Sequence, residues 1–195
     1  MLNKLSRSLP TLVFILQLSA CAVTHKEEEI SSSAGKNQNY MDAVAALKSG
    51  DLKEARNLFL EVIDKHPRLA NAHVNMGIIF IKNKSFDEAE NAFNRALEIN
   101  PQNIYALNQL GFIYRKQGDF SKAKTSYEKA IDINPNYTYA HLNLGILYDL
   151  YLYELENAIE QYKIYNKLLK DEDKLVVKWI FDLERRLKKS LSQKQ

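Results

Sequence analysis

Few side chains in this sequence can do covalent or acid–base chemistry. The one cysteine, Cys21, follows the apolar stretch from Leu9 to Leu18 and the small residues Ser19 and Ala20. A lone thiol forms no internal disulfide, Cys-x-x-Cys metal site or redox pair. The four histidines are His25, His66, His73 and His141. His73 and His141 sit 68 positions apart in two near copies of one phrase, "AHVNMGIIF" and "AHLNLGILY". Equivalent places in separate copies keep them too far apart to share a metal, so both read as surface or helix-packing residues. No glycine-rich phosphate loop, G-x-S-x-G or H-E-x-x-H is present. Acidic residues scatter at helical spacing, as on a solvated face. The expectation is therefore no enzyme, no cofactor and no metal.

The elements that carry these residues read as helical. Of 195 residues, 46% are hydrophobic and 26% charged, an ordinary balance for a foldable chain. Six glycines and four prolines are few, which favours helix over strand and turn. The formal net charge is +3, with Lys4 and Arg7 inside the first twenty residues. The remainder is close to neutral, so no nucleic-acid partner is expected.

Residues 1–20 have a basic start, an apolar middle and a small-residue end, the layout of a secretory signal peptide. The apolar run falls short of the roughly 20 residues of an ordinary span. Leu18-Ser19-Ala20-Cys21 resembles the lipobox of bacterial lipoproteins. That resemblance implies cleavage before Cys21, a diacylglyceryl thioether on its sulfur and an acyl chain such as palmitate on the new amino terminus. Two or more chains are what stable anchoring takes. By the sorting rule of such lipoproteins, Ala22 in place of aspartate implies an outer-membrane protein facing the periplasm. Residues 21–35 are polar and without apolar period, and read as a tether. Such a segment reaches roughly 20 Å.

From residue 36 the chain repeats itself. Gly77, Gly111 and Gly145 are spaced by 34, as are Ala89 and Ala123, Phe93 and Tyr127, Ala96 and Ala130, and Pro101 and Pro135. This pattern resembles the tetratricopeptide repeat, which implies an all-α solenoid of about four helix-turn-helix units. The units read 36–69, 70–103, 104–137 and 138–171, closed by a capping helix over 172–190. Small residues on both helices of a unit let the backbones approach. Phe80, Tyr114 and Tyr148, one turn past each glycine, are expected to fill the space beside it. Stacked copies should form one continuous core. The fourth unit departs from the pattern. It needs one extra residue to align Ala158 and Tyr162, and it has Tyr165 in a small-residue position and Lys170 in the proline position. Its second helix is expected to pack less tightly or at a changed angle. In the cap, Leu175, Val176, Trp179, Ile180, Leu183 and Leu187 form an apolar stripe, with Trp179 as the expected anchor.

In the tetratricopeptide family the first helix of each unit lines a concave groove that holds a peptide. Carried over, the groove positions are Tyr40 and Val44; Asn71, Val74, Ile78, Ile81 and Lys82; Tyr105, Asn108, Phe112, Arg115 and Lys116; and Tyr139, Leu142 and Ile146. The family's carboxylate clamp is not expected. Tyr40, Val44, Tyr105 and Gln109 stand where lysine, asparagine, lysine and arginine belong, and only Asn75 matches. The architecture resembles envelope adaptors and the lipoprotein pilotins of type IV pili. It implies a scaffold that binds a protein of an envelope machine (type IV pilus-like, TonB-type or cell-wall complex). The competing expectation is a self-associating structural lipoprotein, a homo-oligomer without a dedicated peptide ligand.

Overall fold

The structure is a computed structural model describing residues 38–193. The signal peptide, the tether and Cys21 lie outside the described residues. Among those described, four helical pairs follow one another: α1 (Gln38–Ser49) with α2 (Leu52–Lys65), α3 (Ala70–Lys82) with α4 (Phe86–Ile99), α5 (Ile104–Gln117) with α6 (Phe120–Ile133), and α7 (Thr138–Leu147) with α8 (Leu155–Leu168). A final helix, α9 (Lys174–Ser192), packs on α8. The arrangement is a tetratricopeptide-type solenoid with a terminal cap.

Local chemistry sets the helix ends. Asp51, Asp119 and Asp173 each accept a backbone N–H from the first turn of the helix that follows, at 3.0, 3.1 and 2.9 Å. Asn100 and Asn134 close the helices before Pro101 and Pro135, and their side chains accept from Gln102 N and Asn136 N at 3.1 and 3.0 Å. The turn inside each unit needs one left-handed residue. Gly50 and Gly118 supply it at φ 87° and 85°, Lys84 at 62° and Tyr153 at 59°.

The 34-residue glycines are explained by a ring from the other helix. A Cβ on Gly77 would lie 2.5 Å from the Phe93 ring, on Gly111 2.5 Å from Tyr127, and on Gly145 2.6 Å from Tyr162. The space beside each glycine is thus filled by the second helix of the unit. Of Phe80, Tyr114 and Tyr148, expected there, Tyr148 is buried and the other two half-buried, and none of the three is the ring that a glycine Cβ would meet. Ala55, Ala89, Ala123 and Ala158 are fully buried where each second helix begins. The core runs through the units as three groups joined by shared half-buried side chains, Tyr114, Leu97, Tyr105 and Ile131. Two lie over α1–α5 and α6–α9 and meet at Tyr114, with the third around Leu107, Ala130, Tyr137 and Ala140.

The fourth unit absorbs its extra residue in a π-helical turn, Tyr148–Leu152, at the end of α7. In units two and three the turn closes with Ser85 N to Phe80 O and Asp119 N to Tyr114 O, both at 2.9 Å. In unit four the closing bond is Glu154 N to Tyr148 O at 2.9 Å, one residue longer. A π turn widens the ring of backbone by one residue without breaking the helix. Of the two expected outcomes, looser packing or a changed angle, looser packing is not found, since Ala158 and Tyr162 are buried as their counterparts are. Tyr165 is buried as well, and its hydroxyl lies 3.4 Å from Asp173 Oδ2 at the start of α9. The bulky residue that breaks the pattern is what seats the cap.

Within α9, Val176 and Leu183 are the fully buried anchors, while Trp179 is half-buried with its ring 5.6 Å from Tyr162. Leu175, expected in the stripe, is exposed, because it stands about 100° around the helix from Val176.

Candidate functional site

The first helices of the units place their concave side chains in levels 34 residues apart. Asn71, Tyr105 and Tyr139 form the outermost level and are half-buried. Tyr40, Val74, Asn108 and Leu142 form the next, followed by Val44, Ile78, Phe112 and Ile146. Of these eight, only Val44 keeps appreciable surface; Val74 and Ile78 are each 3% exposed. The floor of the expected groove is therefore core rather than open surface. Accessible surface remains on Val44, Asn71, Ile81, Tyr105 and Tyr139, and most of all on Lys82 and Lys116.

Polar residues of the same helices bridge the units. Asn75 Nδ2 donates to the Tyr40 hydroxyl at 3.1 Å, Asn143 Nδ2 to Asn108 Oδ1 at 3.0 Å, and Asn103 Nδ2 to Asn71 Oδ1 at 3.1 Å. Asn71 and Asn108, expected to face a ligand, thus tie α3 to Asn103 at the cap of α5, and α5 to α7. The sequence offered a signal for these bridges: in two of them donor and acceptor are 35 apart, one repeat plus one residue.

The next level changes character along the array, from Leu47 and Ile81 to Arg115 and Asp149. Arg115 is 5% exposed, with its guanidinium 5.7 Å from the Phe112 ring centre and 5.8 Å from that of Tyr151. Asp149 Oδ1 lies 3.5 Å from Nη1 of Arg186, which tethers α9 to the π turn. Lys116 reaches the Phe112 ring at 5.9 Å and is exposed. The basic pair Arg115 and Lys116 therefore divides, one built into the body and one free to meet solvent. Spacing placed both on one helix but could not show that the π turn swings Tyr151 over the arginine.

Buried tyrosines give the array an alkaline limit. Burial pushes the Tyr127 hydroxyl up to about 12, and Arg115 nearby offsets this only in part. Burial likewise raises Tyr40 to about 12, against the lowering effect of the Asn75 bond. A raised folded-state value means that the native state holds its proton more tightly, so stability is intact below pH 10 and falls as pH climbs to about 12. Two units correspond to about 3 kcal/mol per tyrosine. The Tyr127 hydroxyl has no hydrogen-bond partner among the described residues, and Phe93 fills the equivalent place. Tyr127→Phe is thus expected to leave stability at pH 7 unchanged or slightly higher and to shrink the loss between pH 10 and 12. Urea unfolding at a series of pH values measures both.

The geometry of paired helices, glycine–ring contacts and 34-residue levels agrees with the chain's known relatives. Family models of the tetratricopeptide repeat match residues 68–136 and, overlapping them, 109–165. The chain carries tetratricopeptide repeats. Solved structures with the same fold include one from the functional characterization of Pseudomonas aeruginosa pilF, at TM-score 0.70 and 19% identity, covering 78% of this chain and 69% of that one. MamA superposes at TM-score 0.59 and 22% identity over 67% of this chain and 75% of its own. The first tetratricopeptide domain of Spaghetti (RPAP3), bound to the HSP90 peptide SRMEEVD, does so at 0.56 and 20% over 60% of this chain and 92% of its own. No curated protein matches by sequence. In this tetratricopeptide array Asn75, the one residue matching the carboxylate clamp, is turned inward to Tyr40. His73 and His141 serve the stacking, each placing Nε2 on the carbonyl of a preceding proline, Pro67 at 3.1 Å and Pro135 at 2.9 Å.

Proposed function

We propose that this protein is an interaction scaffold, held by lipid on Cys21 to the outer membrane and facing the periplasm, that binds a protein of an envelope machine along its concave face. The observation that supports the reading is what remains accessible there: Tyr105 and Tyr139 half-open where the first helices begin, and, about 16 Å further along them, Ile81 half-open with Lys82 and Lys116 exposed. Such a surface suits an extended or helical segment that brings apolar side chains to the aromatics and a carboxylate to the lysines. Most of the floor is core, so the ligand lies across the levels rather than sinking between them.

The test is in-cell crosslinking with a photoreactive residue replacing Lys116 in the full chain, with and without Cys21→Ser. One dominant envelope protein is expected, weakened by Lys82→Glu, and Cys21→Ser is expected to release the chain from membranes washed in high salt. Crosslinks to the chain alone would replace this reading with self-association. Unchanged retention of Cys21→Ser in salt-washed membranes would remove the lipid anchor from it.

A further inference from the structure

Charge is unevenly placed along the chain. From Gln38 to Asp173 there are sixteen lysines and arginines against nineteen aspartates and glutamates. In α9 the basic residues are Lys174, Lys178, Arg185, Arg186, Lys188 and Lys189, against only Asp182 and Glu184. The positive surplus of the described residues is therefore gathered on the cap.

Within α9 it is gathered again. The helix rests on the array through Val176 and Leu183, with Trp179, Ile180 and Leu187 beside them. At 3.6 residues per turn the outward pole is Lys174, Lys178, Phe181, Arg185 and Lys188, spaced alternately by four and three. Phe181, in the middle of that row, is 69% exposed. Leu175 and Leu191 flank the row at 44% and 53%. Of the acidic residues of α9, Glu184 is drawn to Lys163 of α8 at 2.6 Å, and Asp182 pairs at 2.7 Å with Arg185 of the row itself. No ion pair among the described residues takes up Lys174, Lys178, Lys188 or Lys189.

We propose that the outer face of α9 lies on an anionic lipid surface, with Phe181 entering the headgroup boundary and Lys174, Lys178 and Lys188 meeting lipid phosphates. A second copy of α9 is disfavoured because the row of cations would face itself. A convex ridge with an aromatic at its crest and lysines to either side suits a flat medium that accepts the ring while the long stems reach back to the charged layer. The proposal stands on α9 alone and does not depend on Cys21.

The test moves the single tryptophan of the full chain two residues along α9, about 200° around the helix and so from its packed face to its outer face, by combining Trp179→Phe with Phe181→Trp. The protein is reconstituted into vesicles of phosphatidylcholine, alone or mixed with phosphatidylglycerol, that contain brominated lipid. Quenching of the tryptophan is expected in the anionic vesicles, reversed by salt and absent from phosphatidylcholine alone. Each basic residue near such a surface is worth about fivefold in the bound-to-free ratio, so Lys178→Ala with Lys188→Ala should lower it about 25-fold. Both lysines are exposed, and unchanged far-ultraviolet dichroism verifies the fold of the variants. Equal quenching in both vesicle types would overturn the proposal. So would no quenching in the anionic ones, which would leave an acidic protein as the partner class.

Discussion

Phe93→Ala is expected to cost the array about 3–5 kcal/mol, the usual penalty for emptying a buried aromatic site. Phe93 is fully buried, and its ring is what a Cβ on Gly77 would strike. The pair can be separated by a double-mutant cycle. Gly77→Ala in the native background overpacks a site whose ring has no surface to retreat to, which costs about 1–3 kcal/mol. That outweighs the roughly 1 kcal/mol that alanine gains over glycine inside a helix. In the Phe93→Ala background the obstruction is gone and the helix term remains, so the same substitution is expected to stabilise. Urea unfolding of the four proteins reads the sign change. If Gly77→Ala stabilises both backgrounds, the ring is not the reason for the glycine.

Leu183→Ala is expected to cost about 2–5 kcal/mol, concentrated at one end of the molecule. Leu183 and Val176 are the two fully buried residues of α9, and beneath them lie Ile159, Tyr162 and Tyr165. A repeat array is stabilised by its units and by the interfaces between neighbours, so loosening the cap is felt first by the unit it covers. Amide exchange should therefore rise in α7, α8 and α9 while α3 to α5 keep their protection. The exposed tyrosines should also make the variant prone to association. Uniform loss of protection across all units would mean that the array opens as one body and that the cap has no local role.

How much could be read from the letters depends on which interactions have a period. The helix pairs, their stops at Asn100-Pro101 and Asn134-Pro135, and the stacking all follow from residues 34 apart, and the structure has them. The extra residue of the fourth unit was also legible, as a misfit between Gly145 and Ala158. Its resolution was not, because a π turn has no sequence signature and is selected by the demand that Tyr162 reach Gly145. The partner of each glycine was misassigned for a related reason. Spacing along one helix points to Phe80, whereas the ring that arrives comes from the helix opposite. The groove shows the sharpest limit. Val74, Ile78, Asn108 and Leu142 occupy family groove positions, yet side-chain size and inter-repeat hydrogen bonds decide whether such a position opens, and here they close it. What faces solvent instead, Lys82, Lys116 and the outer row of α9, is a property of the assembled surface.

The π turn also bears on how such a gene can lengthen. Units two and three share one phase, so a tandem duplication of either inserts a segment whose Gly, ring and proline fall into step with both neighbours. A duplicated fourth unit does not. Its Ala158 and Tyr162 follow those of unit three by 35 residues, and its Tyr165 meets Asp173 at the start of α9. Unequal crossover can thus add length in the interior while the last joint is inherited whole, and lineages of this chain should differ in the number of middle units sooner than in the one beside the cap.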